Sequence, residues 1–182
     1  MKPDFDIPID IIERARTVKL LIVDVDGVLT DGSLYLTDTG MQFKAFHSRD
    51  GLGLKLIRNI NIKTAIITAR TSESVQLRVD ELGIDHLYQG AQDKHTAFEE
   101  LSSATGIEPR FACYVGDDIV DLPVMKRVGL SISVADAHPA VKEQSHWITP
   151  LAGGKGAVRQ ICDLLLYANG QYGKTISKYL NR

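Results

Sequence analysis

The segment Lys19-Leu20-Leu21-Ile22-Val23-Asp24-Val25-Asp26-Gly27-Val28-Leu29-Thr30-Asp31-Gly32 decides the fold. Its unbroken apolar start reads as a strand buried on both faces, the pattern of a parallel sheet rather than of a half-solvated one. Acids and glycine follow at once, so the strand ends in a polar turn. Outward from it, short β-branched runs at 63–67, 86–88, 111–115, 129–134 and 147–148 alternate with helix-forming stretches at 51–58, 72–82, 94–105, 122–128, 139–144 and 157–168. Such alternation predicts an α/β domain with a central parallel sheet flanked by helices. Ser72 is a candidate N-cap and Gly83 a candidate helix stop. One stretch breaks the rhythm: 33–46 holds two apolar runs around Asp38-Thr39-Gly40 and reads as a β-hairpin inserted after the first strand.

Composition narrows the function classes. The 182 residues suit a single domain, 1–182, with its core over about 18–168 and a tail at 169–182 whose Gly, Lys and Asn content suggests mobility. Lys plus Arg number 21 and Asp plus Glu 23, a net charge of −2, so no global field draws the chain to nucleic acid or to a membrane. The N-terminus carries Asp4, Asp6 and Asp10 rather than a basic start and an apolar run, which argues against a signal peptide. No apolar run approaches the roughly 20 residues of a membrane span. Cys113 and Cys162 lie singly in apolar stretches and read as buried thiols of a reducing compartment. A cytoplasmic protein is the expectation.

In open α/β sheets ligands bind beyond the carboxyl ends of the strands. There the sequence places Asp24 and Asp26 after the first strand, Thr68-Ala69-Arg70 after the second, Lys94 after the third, and Gly116-Asp117-Asp118 with Asp121 after the fourth. Asp favours turns and caps in its own right. However, residues i and i+2 of an extended segment face one side, so Asp24 and Asp26 can address one centre. Carboxylates gathered in one crevice repel one another unless a cation compensates. Oxygen ligands without a His or Cys set favour a hard ion, and Mg²⁺ leaves room for a substrate phosphate. No Ca²⁺ loop is present, and Gly153-Gly154-Lys155-Gly156 lacks P-loop spacing and reads as a flexible loop. Lys94 stands at a helix start, where the macrodipole disfavours a cation unless an anion lies nearby.

These four groups, in this order at strand ends, resemble the four motifs of haloacid-dehalogenase-superfamily phosphatases. Lys44-Ala45-Phe46, Arg49-Asp50-Gly51, Tyr88-Gln89-Gly90, Val134-Ala135-Asp136-Ala137-His138-Pro139 and Ala152-Gly153-Gly154-Lys155-Gly156-Ala157-Val158-Arg159 extend the resemblance to the 3-deoxy-D-manno-octulosonate (KDO) 8-phosphate phosphatases. It spans about 18–168. Ala69 stands where that family commonly has Gly, and His47-Ser48 where it more often has Asn-Val.

The resemblance implies a cap-less Rossmann-like domain that hydrolyses a sugar acid phosphate for lipopolysaccharide precursor synthesis. It also implies a homotetramer built partly by the hairpin, with the glycine-rich C-terminal segment near a neighbouring active site. Asp24 would be the nucleophile and Asp26 the acid and base. Mg²⁺ would be held by Asp24, Asp117 and the backbone carbonyl of Asp26, with Asp118 and Asp121 behind them. Thr68 and Lys94 would bind phosphoryl oxygens. Arg49, Arg70, Arg78 and Lys155 are candidates for the substrate carboxylate, which a guanidinium fork matches well. A nine-carbon sugar acid 9-phosphate is the alternative substrate. A phosphoreceiver signalling domain shares the sheet, the acids, Thr, Lys and Mg²⁺, but it would carry an Asp at the tip of the third strand, where this chain has Tyr88-Gln89-Gly90. A non-catalytic subunit would not need the complete motif set.

Overall fold

The computed structural model describes residues 1–40 and 42–181. Strand β1 (Leu20–Val23) is the centre of a six-stranded, all-parallel sheet with β4 (Lys63–Ile67), β5 (His86–Tyr88), β6 (Ala112–Gly116), β7 (Leu130–Ser133) and β8 (Trp147–Ile148). The spatial order is β5-β4-β1-β6-β7-β8. All residues of β1 are 0 or 1% exposed, which is why its sequence is apolar without alternation. Helices α1 (Ile9–Thr17), α2 (Ser48–Arg58), α3 (Glu73–Leu82), α4 (Lys94–Thr105), α5 (Leu122–Met125), α6 (Pro139–Gln144), α7 (Ala157–Ala168) and α8 (Tyr172–Leu180) complete the domain. The chain runs outward from β1 through β4 to β5 and then returns to β6 on the other side of β1. This reversal opens a crevice at the carboxyl ends of β1 and β6, paired in register Val23 to Val115.

The inserted hairpin is present but short, with β2 (Tyr35–Leu36) and β3 (Gln42–Phe43) antiparallel. Its turn closes through Gly40 N–H donating to Thr37 O at 2.9 Å. Met41, within the expected hairpin, lies outside the described residues.

Several boundaries differ from expectation for local reasons. Helix α2 starts at Ser48 rather than 51, because the His47 ring accepts the Arg49 N–H at 3.3 Å and caps the turn. Helix α5 stops at Met125 rather than 128, the chain turning toward β7. Ser72 precedes α3 without capping it through its side chain; its own N–H is taken by Gln89 Oε1 at 2.8 Å. Gly83 ends α3 at φ 67, as the sequence suggests. Helices α1 and α8 lie outside the expected alternation: α1 buries only Ile11 and Ala15, and α8 buries no residue. The segment from Gly153 to Gly156 is a packed turn rather than an open loop. Its Gly154 N–H donates to Val28 O at 3.0 Å, and a Cβ on Gly153 would overlap the Gly27 carbonyl. Both cysteines are buried, and desolvation holds both thiols well above the ordinary range.

Candidate active site

Strand β1 delivers Asp24 to the crevice, and the backbone kinks immediately beyond it. Gly27 adopts φ 89, a left-handed conformation open to glycine, and lies so close to Asp117 that a Cβ there would overlap its carboxylate. The first and fourth motifs therefore meet through the absence of a side chain. Asp24, Asp26, Thr68, Arg70, Lys94, Asp117 and Asp118 line one cleft of about 450 Å³, together with Gly32, Leu34, Ala69 and Val120.

Lys94, in the first turn of α4, is 3% exposed and reaches Asp24 Oδ1 at 2.8 Å and Asp121 Oδ1 at 2.7 Å. Burial opposes its charge, but Asp24 and Asp121 outweigh that and hold the ammonium above its ordinary pKa. These two carboxylates offset the unfavourable helix-start position. Asp121 is 0% exposed and fully engaged. Its Oδ1 also accepts the Tyr114 hydroxyl at 2.7 Å, and its Oδ2 accepts the N–H groups of Asp117 and Asp118 at 3.0 and 3.2 Å. It thus fixes Lys94 and the β6 loop together. Asp118 accepts the Ile119 N–H at 2.7 Å and caps the turn that follows.

Carboxylate oxygens of Asp24, Asp117 and Asp121 lie within 4.8 Å of one another, close enough to share an ion. With Asp121 committed to its neighbours, Asp24 and Asp117 retain the capacity for one. Burial pushes each of their pKa values up to about 7, with repulsion from Asp121 adding to both and repulsion from Asp24 adding to Asp117, although Lys94 pulls both down. A hard dication relieves that strain, so the donor chemistry fits Mg²⁺.

Of the proposed substrate-binding residues, Arg70 alone lines the cleft. Arg49 is exposed at the start of α2. Arg78 pairs with Glu81 at 2.7 Å and lies over the Phe46 ring at 5.7 Å, and Lys155 stands 3.5 Å from Asp31. Within one chain, these three stay outside the cleft lining. Conversely, Lys44 enters the site although sequence reasoning gave it no role. Its ammonium, on a side chain 4% exposed, bonds to Asp26 Oδ1. Its triplet Lys44-Ala45-Phe46 is the signal that could have found it.

A doubly wound parallel sheet with an Asp-Val-Asp-Gly turn, a threonine, a buried lysine and a second acid pair at successive strand ends defines a haloacid-dehalogenase-like hydrolase. Residues 86–161 match the haloacid dehalogenase-like hydrolase family. The chain is 49% identical over 162 residues to the 3-deoxy-D-manno-octulosonate 8-phosphate phosphatase KdsC of Escherichia coli K12, covering 89% of this chain and 86% of that relative. It belongs to the 3-deoxy-D-manno-octulosonate 8-phosphate phosphatase family.

Solved structures agree. The phosphatase of that name from Yersinia pestis superposes with a TM-score of 0.90 at 45% identity, over 92% of this chain and 90% of that one. The Moraxella catarrhalis enzyme, solved in complex with magnesium, phosphate and KDO, gives a TM-score of 0.91 at 40% identity, over 93% and 98%. Among the described residues, no helix is long and apolar enough to cross a membrane.

Proposed function

We propose that this protein is a Mg²⁺-dependent phosphatase that hydrolyses 3-deoxy-D-manno-octulosonate 8-phosphate to KDO and phosphate in the cytoplasm, for lipopolysaccharide precursor synthesis. The observation that carries the proposal is the convergence of Asp24, Asp117 and the buried Lys94 in one cleft. The near-half identity to phosphatases of that name names the substrate.

Asp24 attacks phosphorus in line, and the bond to the sugar oxygen breaks with its electron pair leaving on that oxygen. Asp26 delivers the proton that oxygen takes up. In the second half, Asp26 accepts a proton from water as the water attacks the aspartyl-phosphate, releasing phosphate and regenerating Asp24. Lys94 and the Thr68 hydroxyl donate hydrogen bonds to phosphoryl oxygens. Asp24, Asp117 and the backbone carbonyl of Asp26 would hold Mg²⁺, which supplies charge neutralisation for the transferring phosphoryl group. Arg70 faces the sugar acid from within the chain. Arg49, Arg78 and Lys155 would reach substrate only across subunits of a homotetramer, where the glycine-rich C-terminal segment would approach a neighbouring cleft.

Turnover of the eight-carbon sugar phosphate with Mg²⁺, measured by phosphate release, tests this reading. The wild-type protein should give multiple turnovers and Asp24→Asn none above background. A single stoichiometric phosphorylation without release would identify a receiver domain instead.

A further inference from the structure

We infer that Lys44 is the positioning residue of Asp26: an ammonium sent from the hairpin that holds one carboxylate oxygen and leaves the other to carry the proton. The inference rests on the phosphatase reading above and deepens it.

Lys44 follows β3 directly, so the hairpin's return path brings it to the site. Its side chain is 4% exposed and that of Asp26 is 21% exposed. The two are joined through Oδ1. Asp26 Oδ2 stands 4.0 Å from Arg70 Nε, on a side chain 47% exposed that lines the cleft. The two oxygens therefore have different surroundings: Oδ1 is tied to a nearly buried cation, and Oδ2 is turned toward a residue at the open cleft.

A carboxyl group that must protonate a leaving oxygen and later deprotonate water needs one oxygen kept in reach of both reacting atoms. An ion pair on the opposite oxygen fixes the rotation that achieves this. Oδ2 then bears the proton that passes to the sugar oxygen when the phosphorus–oxygen bond breaks, and the same atom receives the proton from water. Lys44 itself exchanges no proton and touches no substrate. The hairpin thereby becomes part of the catalytic apparatus as well as a surface feature.

The experiment compares Lys44→Met, which keeps the length of the side chain without its charge, with Lys44→Arg, which keeps the charge. Both are assayed with Mg²⁺ on the eight-carbon sugar phosphate and on 4-nitrophenyl phosphate, whose leaving phenolate is a weak base and needs little protonation. Through kcat/KM the second ester reports only steps up to departure of the leaving group. Lys44→Met should lower kcat on the sugar phosphate by about 10²-fold, the scale of general acid–base catalysis. KM should stay within about two-fold, and kcat/KM on 4-nitrophenyl phosphate should fall less than about five-fold. Lys44→Arg should recover at least about ten-fold of the lost kcat.

An equal fall on both esters would show that Lys44 only supports the fold. A raised KM with kcat retained would make it a substrate ligand. Either result, like unchanged kinetics, overturns the assignment while leaving the phosphatase reading in place. A wild-type protein that turns over neither ester would overturn both.

Discussion

Asp24 and Asp117 are two carboxyl groups that burial makes reluctant to ionise together, and that reluctance has a measurable sign. Each is raised from 3.8 to about 7, chiefly by desolvation. A folded-state pKa above the unfolded value means that the native chain binds more protons between those limits, so the stability these two groups contribute is fully present below about pH 4 and is lost as pH rises through 7. Mg²⁺ requires the carboxylate forms and competes with those protons. In metal-free protein, thermal stability should therefore decline between pH 5 and 8. Mg²⁺ affinity should be at least about ten-fold weaker at pH 6 than at pH 8, since a ligand of pKa near 7 is mostly protonated at the lower pH. At a fixed subsaturating Mg²⁺ concentration, the rise in Tm should be larger at pH 8, and chelation should abolish it. A Tm rise of equal size at both pH values would show that these carboxyl groups do not hold the ion.

Helix α7 shows how one element transmits order to the catalytic turn. Asp50, in the first turn of α2 and 1% exposed, accepts the Arg159 N–H at 2.7 Å and so caps α7 from another helix. The turn that leads into α7 packs in its own right on Gly27, Val28 and Thr30. Asp50→Ala removes the cap and should cost about 1–2 kcal/mol by urea denaturation, the usual range for a lost helix cap. Asp50→Asn, which keeps an accepting oxygen, should cost less; equal losses would show that the charge rather than the acceptor matters. Elements of this kind also explain what the sequence could and could not disclose. The strands were legible because both faces of the sheet are covered, leaving apolar runs such as Leu20-Leu21-Ile22-Val23, and Asp24, Thr68, Lys94 and Asp117 were legible because they follow such runs. Helices α1 and α8 were not, since they lie before the first sheet strand and after the helix that follows the last one, outside the strand–helix alternation that marks the others. Lys44 follows a two-residue hairpin strand rather than a sheet strand, so no rule about strand ends points to it. Arg78 follows the second motif in sequence, yet within the folded chain its guanidinium lies against Glu81 and Phe46 rather than in the cleft wall, a placement that spacing alone does not reveal.

At the scale of the molecule, the hairpin displays an apolar surface that a lone chain does not use. Leu36 is 65% exposed and Phe43 56%, with Tyr35 stacked on Phe43 at a ring separation of 5.0 Å. Apolar side chains grouped in this way on a soluble chain mark an association surface. Closed symmetric assembly of identical chains is the common way to cover one. The homotetramer expected from the family resemblance would satisfy that surface. It would also bring exposed cations such as Arg49 and Lys155 toward a neighbour's cleft, where Arg70 is the one arginine lining the wall among the described residues. Light scattering after gel filtration should find the wild-type protein as a tetramer. The double variant Leu36→Asp, Phe43→Glu places two charges on the patch and should yield monomers, because each buried charge would lack a partner. If subunits complete one another's sites, the monomer should keep turnover of 4-nitrophenyl phosphate within about five-fold yet lose at least about ten-fold in kcat/KM on the sugar acid, the worth of a hydrogen-bonded charge. A wild-type chain that is monomeric at micromolar concentration, or a monomeric variant with undiminished preference for the sugar acid, would assign substrate recognition to the single chain.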